Sequence, residues 1–429
     1  MKQAMKKMAI DKMDQMQVDL GLERMYQIMK RLGNPHRQFR SVHIAGTNGK
    51  GSTAAFIANT LKEGGYKTGF YTSPHLERFN ERVQISGDLI SDDEVETISA
   101  EIKNAGKGVP GGEPTCFEFM TALAFLYFAR RKVDIAVIEV GLGGRLDATN
   151  IITPLLSVIT PVALDHADYL GSDLQTVAAE KGGVIKKGAP LIMGRQEREV
   201  EEVLRKIAAK NDSEAFVLHS DFDFRVSENE EFDFRGIDRN INGFQISLYG
   251  RHQVENAALA LAALQLLSRY GYPSNEKTLK RGMKETFWPG RFEVLSSNPA
   301  VILDGAHNPA GAARLAEALS EKFGGDKGVL VAGFMDDKDY YGMLTELVPL
   351  AWDIILTRPD QKRSFDPEAG IDRVRGIAGI SRVQVIPAMK DAINKGIMLA
   401  KDKRFIIITG SLYGVGEARG ILKEAYFPV

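Results

Sequence analysis

The stretch SVHIAGTNGKGST, residues 41–53, limits the possible folds of this chain more than any other segment. It reads as an apolar strand, a glycine-rich turn and the start of a helix, which is the order of a phosphate-binding loop. In such a loop the glycines bring backbone N–H groups close to phosphate oxygens, and the helix N-terminus and Lys50 add positive charge. Gly51, however, follows Lys50 at the position where the usual loop has the Ser or Thr that binds magnesium. A nucleotide bound here therefore needs its metal ion held by other residues.

Strand-like and helix-like segments alternate along the first two thirds of the chain. The strand-like runs in this part include residues 41–45, 67–72, 134–140 and 155–160. A helix start is indicated at Ser91, because Glu94 follows three residues later at the spacing of a capping box. Such alternation predicts a mostly parallel sheet with helices on both faces. Around residues 221–226 and 243–250 the apolar period changes to two, which predicts a small antiparallel insert.

The alternation restarts after residues 287–299, FWPGRFEVLSSNP, whose Pro and Gly residues suit a hinge between domains. Five further strand-like runs follow, at residues 300–305, 328–334, 352–357, 383–388 and 404–410, and none carries a second glycine-rich phosphate loop. We therefore predict an α/β protein of two domains. Residues 1–290 form a nucleotide-binding domain with a phosphate-loop-type sheet and the small insert, and residues 291–429 form a smaller Rossmann-like α/β domain.

Composition narrows the cellular context. The 55 basic and 56 acidic residues give a net charge of -1, which argues against nucleic acid or a membrane surface as partner. The single cysteine, Cys116, excludes an internal disulfide and a multi-thiolate zinc site, and it fits a reducing cytosol. Residues 1–21 are interrupted by charges and lack the apolar core of a signal peptide, and the apolar run at 256–267 falls short of the ~20 residues that cross a bilayer. We expect a cytoplasmic protein.

Polar side chains follow three of the predicted strands. Ser73 and His75 come just after the second, Glu139 ends the third, and Asp165 and His166 follow the fourth. Taken singly, they can be read as a turn former, a strand-end carboxylate in water and a capped loop histidine. The carboxyl ends of parallel strands meet at one edge, however, and ligands bind there. Their shared position therefore predicts oxygen and imidazole ligands beside the phosphate loop.

Eight motifs then occur in a fixed order: GTNGKGS, TSPHL, EVGLGGRLDATN, LDH, AAEKGGVIK, WPGRFE, DGAHNP and TGSLY. With these motifs the chain resembles the folylpolyglutamate synthase and dihydrofolate synthase family of the Mur ligase superfamily, from about Gly21 to the C-terminus. The resemblance implies a monomeric ATP-dependent ligase that adds L-glutamate to dihydropteroate and to reduced folates. ATP phosphorylates the substrate carboxylate, and the glutamate amine attacks the resulting acyl phosphate to form an amide. It also implies two Mg²⁺ ions.

The resemblance assigns roles to particular residues. Magnesium is held by the counterparts of Ser73, Glu139 and His166, so that Gly51 needs no hydroxyl. The counterpart of Lys181 is carbamylated near a second magnesium, although on residue type alone Lys181 is an ordinary solvated helix lysine. The catalytic assignments are Lys50, Lys181, Arg291 and His307. The nucleotide-binding assignments are Gly46, Thr47, Asn48, Gly49, Lys50, Gly51, Ser52, Asn256, Arg291 and Asp304. The substrate-binding assignments are His75, Arg145, Asp147, His307, Ser411 and Tyr413.

The motif GLGGRLDATN resembles the form found in bacterial enzymes with both activities, and it therefore favours a bifunctional enzyme. Arg145 and Asp147 are expected to form a charged pair beside the metal that fixes the shorter dihydropteroate; alternatively, they pair with each other at the domain rim. Three other functions stay open. One is folylpolyglutamate synthesis alone. Another is a cell-wall Mur ligase, which Gly51 and the TSPHL motif disfavour. The third is a phosphate-loop kinase or switch, which would not need the DGAHNP motif.

Overall fold

The protein is described by a computed structural model that covers residues 21–227, 231–377, 383–401 and 405–426. Residues 1–20, on which the expectation about a signal peptide depends, lie outside this range. Within it, no helix combines the length and the apolar character that crossing a membrane requires.

The first unit is built on a sheet of eight strands. Their bounds are β1 Arg40–Ala45, β2 Thr68–Tyr71, β3 Val83–Ile85, β4 Asp88–Leu89, β5 Ile135–Glu139, β6 Leu156–Ile159, β7 Leu191–Met193 and β8 Ala215–Val217. The order across the sheet is β4-β3-β2-β5-β1-β6-β7-β8. All neighbours from β2 to β8 pair in parallel, whereas β3 pairs antiparallel with both β2 and β4. The four strands predicted from the sequence form the centre of this sheet.

Helices cover both faces of this sheet. Their bounds are α1 Glu23–Arg31, α2 Lys50–Glu63, α3 Asp92–Gly106, α4 Cys116–Arg131, α5 Ala167–Leu170, α6 Leu174–Gly182, α7 Arg198–Lys210, α8 Arg251–Ser268 and α9 Glu276–Lys284. Along β5, Ile135 and Val137 join the core under α2 and α8, whereas Ala136 and Ile138 join the core under α1, α3 and α4. This alternation lets one apolar strand hold two helical layers together.

Two local predictions for this unit are confirmed. The Ser91 side chain accepts a hydrogen bond from the backbone N–H of Glu94, and the Glu94 carboxylate accepts one from the backbone N–H of Ser91, which completes the capping box. The period-two segment forms a three-stranded antiparallel sheet with bounds β9 Asp223–Val226, β10 Phe232–Arg235 and β11 Ile241–Phe244. Phe232 and Phe234 of β10 are buried while Asp233 and Arg235 are exposed, so the alternation directs one face into the core.

The second unit is a six-stranded sheet with its own helices. The strand bounds are β12 Glu293–Ser297, β13 Ala300–Leu303, β14 Gly328–Ala332, β15 Ala351–Arg358, β16 Val383–Ala388 and β17 Phe405–Thr409, and the helix bounds are α10 Pro309–Phe323, α11 Tyr340–Leu347, α12 Pro367–Arg375, α13 Met389–Ala400 and α14 Leu412–Ala425. The order is β12-β13-β17-β14-β15-β16, parallel throughout except for β12. The predicted α/β class is confirmed in both units.

The expected hinge is shorter than the sequence indicates. Of residues 287–299, residues 293–297 form the edge strand β12, which pairs antiparallel with β13. A tight turn at residues 298 and 299 reverses the chain, so that Ser297 pairs with Ala300. Only residues 285–292 connect the two units, and the boundary predicted at residue 290 lies within this connection.

Candidate active site

A cleft of about 950 Å³ lies between the carboxyl edge of the first sheet and the loops that follow β13 and β14 of the second. Fifteen residues with a predicted role line it: Gly46, Thr47, Asn48, Gly49, Lys50, Gly51, Ser52, Ser73, Glu139, His166, Lys181, Asn256, Arg291, Asp304 and His307. They come from strand ends, helices and connecting segments far apart in the sequence. The parallel topology is what brings them to one place.

The phosphate loop connects β1 to α2. Gly49 has φ +87° at the N-cap of α2, a conformation that residues with a Cβ rarely adopt, and a Cβ there would lie 2.3 Å from the side-chain oxygen of Asn256. A Cβ on Gly51 would lie 2.9 Å from Nε1 of Trp288, in the connection between the units. A side chain at this position would require the Trp288 indole to shift, so packing favours the glycine after Lys50.

Lys50 is folded back over the loop. Its ammonium donates hydrogen bonds to the carbonyl oxygens of Gly46 and Thr47, at 3.2 and 3.1 Å. Burial lowers the pKa of Lys50, and the carboxylates of Glu139 and Asp165 act in the opposite direction. The ammonium is therefore held against the loop by two of its carbonyl oxygens.

Glu139 is a buried carboxylate at the end of β5. It accepts hydrogen bonds from the Thr72 hydroxyl and, at 3.3 Å, from the backbone N–H of Ser73. Burial raises its pKa, partly offset by the charge of Lys50. A buried carboxylate bonded to Ser73, whose hydroxyl is a second oxygen donor, offers the ligand types that Mg²⁺ prefers, and a cation there would compensate the buried charge. The observed residues fit the implied ion.

His166, the third implied metal ligand, contacts Lys338 and Asp165 rather than Ser73 or Glu139. Its Nε2 lies 3.2 Å from the ammonium of Lys338 and 3.9 Å from the Asp165 carboxylate. Within the described residues, no three His, Cys, Asp or Glu side chains come together as a metal cluster. The structure thus brings Ser73 and Glu139 together and places His166 in the same cleft without joining it to them.

Lys181, on α6, is buried, with only 4% of its surface exposed. Its ammonium donates a 2.8 Å hydrogen bond to the carbonyl oxygen of Gly46, which Lys50 also contacts. Burial, with the charge of Lys50, lowers the pKa of Lys181 to about 7. The expectation of a solvated helix lysine, drawn from residue type alone, is wrong.

Arg145 and Asp147 do not form the expected charged pair. Arg145 pairs instead with Glu180 at 2.7 Å on the surface. Asp147 is buried and accepts hydrogen bonds from the backbone N–H groups of Gly141, Leu142 and Thr149, at 3.0, 2.8 and 2.9 Å. Neither residue lines the cleft. The reason is that Asp147 caps the short 3₁₀ helix at residues 148–151, which turns its carboxylate inward and away from Arg145.

Three other predicted substrate residues also do not line the cleft. His75 accepts a 2.8 Å hydrogen bond at Nδ1 from Nε of Arg82. Ser411 is the N-cap of α14, and its hydroxyl donates to the carbonyl oxygen of Gly333 at 3.0 Å. Tyr413 lies in the first turn of α14, and Leu412, between Ser411 and Tyr413, is the residue of this motif that reaches the lining. Direct substrate contact by these residues stays a prediction.

In the second unit, the loop after β13 carries two buried or partly buried groups of the DGAHNP motif. The Asp304 carboxylate accepts hydrogen bonds from the backbone N–H groups of Phe292 and Ala306, both at 2.9 Å, and burial raises its pKa. His307 donates from Nδ1 to the carbonyl oxygen of Gly305 at 2.9 Å, and burial lowers its pKa to about 4. His307 is therefore neutral at physiological pH, and its Nε2 carries the lone pair.

Asn308 joins the two units across the cleft. Its side-chain amide exchanges two hydrogen bonds with that of Asn48 in the phosphate loop, at 3.1 and 3.2 Å, and donates a third to Asp165 at 3.2 Å. The same side chain accepts the N–H of Gly311 and so caps α10. One hydrogen-bond network therefore connects the N-terminus of α10 to the phosphate loop.

The sequence reasoning missed Lys338. Its side chain is 8% exposed, and its ammonium lies 2.6 Å from the Asp165 carboxylate. Although burial opposes ionisation, the charges of His166, Lys338 and His307 hold the pKa of Asp165 well below its usual range. A signal was present, because the charged run at residues 336–339 follows strand β14 in the way that DGAHNP follows β13.

A second missed group lies beside Asn256 on α8. The Asn256 amide donates to the side-chain oxygen of Gln253 at 3.0 Å, and the Gln253 amide nitrogen lies 3.2 Å from Nε2 of His252. Burial lowers the pKa of His252 to about 4, so this row of side chains is neutral. It offers hydrogen-bonding groups without charge next to the phosphate loop.

Comparison with known proteins gives consistent matches over both units. Residues 44–264 match the family model of the Mur ligase middle domain, and residues 290–412 match that of the Mur ligase glutamate ligase domain. The chain is 38% identical to the dihydrofolate synthase/folylpolyglutamate synthase of Bacillus subtilis, over 94% of this chain and 95% of that protein. It is 34% identical to the folylpolyglutamate synthase of Lacticaseibacillus casei, over 93% and 94%.

Solved structures agree with these matches. Mycobacterium tuberculosis folylpolyglutamate synthase complexed with ADP superposes with a TM-score of 0.91 at 33% identity, covering 97% of each chain. The E. coli FolC structure in complex with DHPP and ADP superposes with a TM-score of 0.89 at 29% identity, covering 98% of this chain and 97% of that one.

Proposed function

Because this chain belongs to the dihydrofolate synthase/folylpolyglutamate synthase family of Mur ligases, we propose that it joins L-glutamate to dihydropteroate and to reduced folates at the expense of ATP. The chain is an ATP-dependent ligase, and its substrates are small molecules. One observation carries the assignment of the reaction to this cleft: the phosphate loop and the polar loops of the second unit meet there, through Asn48 with Asn308 and Asp165 with Lys338.

The first step forms an acyl phosphate. A carboxylate oxygen of the substrate attacks the terminal phosphorus of ATP, the bond from phosphorus to the bridging oxygen breaks, and ADP leaves. The loop N–H groups and Lys50 hold the phosphates, and Arg291 adds a second cation from the connection between the units. Their charges stabilise the negative charge that develops on phosphoryl oxygens in the transition state.

Magnesium is proposed to bind at Ser73 and Glu139, with His166 as a further ligand. The donor types fit, and a magnesium ion would add to the charge of Lys50 in compensating the buried Glu139 carboxylate. When bound, the ion supplies Lewis-acid polarisation of the phosphates. Gly51 then needs no hydroxyl, which answers the question raised by the loop sequence.

Lys181 is proposed to carry a carbamate. With a pKa of about 7, a large fraction of its amine is neutral at physiological pH. A neutral amine attacks carbon dioxide and loses a proton, which leaves an anionic carbamate beside the phosphate loop. The lowered pKa and the burial support this assignment, because a solvated lysine would stay protonated.

In the second step the glutamate amine attacks the acyl phosphate, and the tetrahedral intermediate releases inorganic phosphate. Neutral His307 can accept a hydrogen bond from the incoming amine at Nε2, and the cation of Lys338 can hold a carboxylate of glutamate. Both residues belong to the second unit, so this step requires the cleft to be closed.

Bifunctionality is proposed from relatives that carry both names, whereas the L. casei relative is named for folylpolyglutamate synthesis alone. In this chain Asp147 acts on the substrate side indirectly, since it holds the backbone of Gly141 and Leu142, and both residues line the cleft. A monomer acting in the cytoplasm remains our expectation.

The test is release of ADP by the purified protein with dihydropteroate, tetrahydrofolate or a UDP-muramic acid substrate, each with and without glutamate. We expect glutamate-dependent release with the first two substrates and formation of dihydrofolate from the first. Release with tetrahydrofolate alone would leave only the polyglutamylating activity. Release with the UDP-linked substrate alone would instead identify a cell-wall ligase.

A further inference from the structure

The loop between β2 and β3 is built as a rigid piece. The Glu81 carboxylate accepts hydrogen bonds from three successive backbone N–H groups, those of Leu76, Glu77 and Arg78, at 2.7, 3.0 and 2.6 Å. Ser73, which we propose as a magnesium ligand, stands at the start of this loop inside the cleft. A displacement of residues 76–78 is therefore transmitted to Ser73 over a short, well-bonded segment.

Helix α14 of the second unit lies directly against this loop. A Cβ on Gly416 would be only 1.9 Å from the carbonyl oxygen of Leu76, so the helix backbone touches the loop backbone at this point. The Leu76 side chain packs against the core of the second unit, which includes Val415. By contrast, a Cβ on Gly420, one turn further along α14, would meet nothing within 4 Å.

Arg419 adds an ionic contact at the same junction. Its Nε lies 2.9 Å from both oxygens of Glu293 in β12, and its Nη1 bonds the carboxylate of Glu77 in the loop. Arg419 and Glu293 are each 9% exposed. Glu293 also accepts the backbone N–H of Gly290, at 2.9 Å, in the connection between the units. One guanidinium thus bridges the loop, the edge strand and its own helix.

We propose that Gly416 and Arg419 of α14, with Glu77, act as positioning residues: closure of the second unit seats α14 on the loop at 73–82 and thereby fixes Ser73 for the reaction. This inference rests on the proposed ligase function. On one side of the cleft Asn308 bonds Asn48 of the phosphate loop, and Lys338 pairs with Asp165 in the loop after β6. On the other side α14 lies against the loop at 73–82. The second unit therefore contacts the first unit on both sides of the cleft.

The first test inserts one methyl group. Gly416→Ala should lower ligase turnover roughly tenfold or more, a size expected when residues in contact are uncoupled, because the new Cβ prevents α14 from reaching Leu76. Gly420→Ala is the matched control, since both changes favour the helix equally but only the first meets the loop. Turnover of Gly416→Ala within twofold of the parent would overturn the proposal.

The second test removes the ionic contact. Glu77→Gln leaves the Arg419–Glu293 pair intact, and we expect it to lower turnover while binding of ADP alone stays within about twofold, because the phosphate loop is untouched. Asp238→Asn, which breaks the exposed pair with Arg269, should change neither quantity. Equal effects of Glu77→Gln on ADP affinity and turnover would contradict a positioning role.

A structural readout separates this inference from the proposed function. Small-angle X-ray scattering of the full chain with ADP should show a larger radius of gyration for Gly416→Ala than for Gly420→Ala and the parent. This measurement does not depend on any substrate. If the parent released no ADP with any acceptor but scattering separated the two variants, the ligase assignment would fail and the contact would stand; identical scattering from all three proteins would refute the contact.

Discussion

At the scale of single residues, Glu139 has the clearest chemical requirement. Glu139→Gln keeps the shape and removes the charge that would face magnesium, so ligase turnover should fall at least ~100-fold. The midpoint of thermal unfolding should not fall, because a neutral amide costs less to bury than a carboxylate. Glu202→Gln, on the surface, serves as control. Near-normal turnover of the Glu139 variant would remove Glu139 from the proposed metal site.

Lys181 gives a prediction about both mutation and pH. Lys181→Ala should be inactive, and acetate should restore part of the activity by placing a carboxylate where the carbamate would be. The amine is mainly neutral above its pKa of about 7 and mainly protonated below it. Carbamylation, and with it turnover of the parent, should therefore decline as pH falls through 7 and recover partly when bicarbonate is added. Full activity of the alanine variant would contradict the assignment.

The position of a site residue could be predicted where the residue directly follows a recognisable strand. Ser73 and Glu139 follow parallel strands, and the ends of such strands meet at one edge, so their proximity could be inferred. The burial of Lys181 could not, because the helix pattern around it is the same for an exposed residue. Arg145 and Asp147 were predicted to pair, but spacing in a turn does not tell which way each side chain points.

At the scale of elements, the 3₁₀ helix at residues 148–151 is capped by Asp147, which also holds the backbone of two residues that line the cleft. Asp147→Asn leaves one oxygen in place of two, so the backbone N–H groups of Gly141, Leu142 and Thr149 cannot all be satisfied. We expect a loss of about 1 kcal/mol in stability, as for other N-caps, and a fall in turnover. Urea unfolding and the ADP-release assay measure the two effects.

Arg145→Ala is the control variant for Asp147→Asn. The Arg145–Glu180 pair is on the surface, where such pairs contribute little, so turnover with dihydropteroate should stay within about twofold of the parent. A selective loss of dihydropteroate activity in this variant would favour the original idea that Arg145 contacts the shorter substrate.

The four central strands of the first sheet were predicted, because apolar strand runs are unambiguous when helices of the right length separate them, whereas the short outer strands β3, β4, β7 and β8 were not named. The edge strand β12 was missed. Its sequence, EVLSS, is half polar, and it follows Pro and Gly residues typical of a linker. Its pairing with β13 is a tertiary contact that no local pattern signals.

At the scale of the whole molecule, Lys338 tests whether the two units act together. Lys338→Met should lower turnover roughly tenfold or more, because it removes a cation from the cleft and leaves the buried Asp165 carboxylate without its nearest partner. Lys277→Met, at an exposed position on α9, is the control. Unchanged kcat and KM for glutamate in the Lys338 variant would exclude Lys338 from the reaction.

The division into two α/β units was visible in the sequence, but the way they meet was not. Asn48 and Asn308 are 260 positions apart, and Glu77 and Arg419 are 342 apart. Contacts between residues so far apart in the sequence produce no local pattern from which they could be predicted. The family resemblance suggested that the second unit closes over the nucleotide, and the individual side chains that do so emerge only from the assembled structure.

The contact between Gly51 and Trp288 has a consequence for how phosphate loops are recognised. In the usual motif the residue after the lysine is defined by chemistry, as a hydroxyl. In this chain the same position is defined by sterics, since the indole of the interdomain connection occupies the space of a side chain. A sequence pattern that requires the hydroxyl would pass over this loop. The informative signature is instead a pair of distant positions, a glycine and the tryptophan whose indole lies against it.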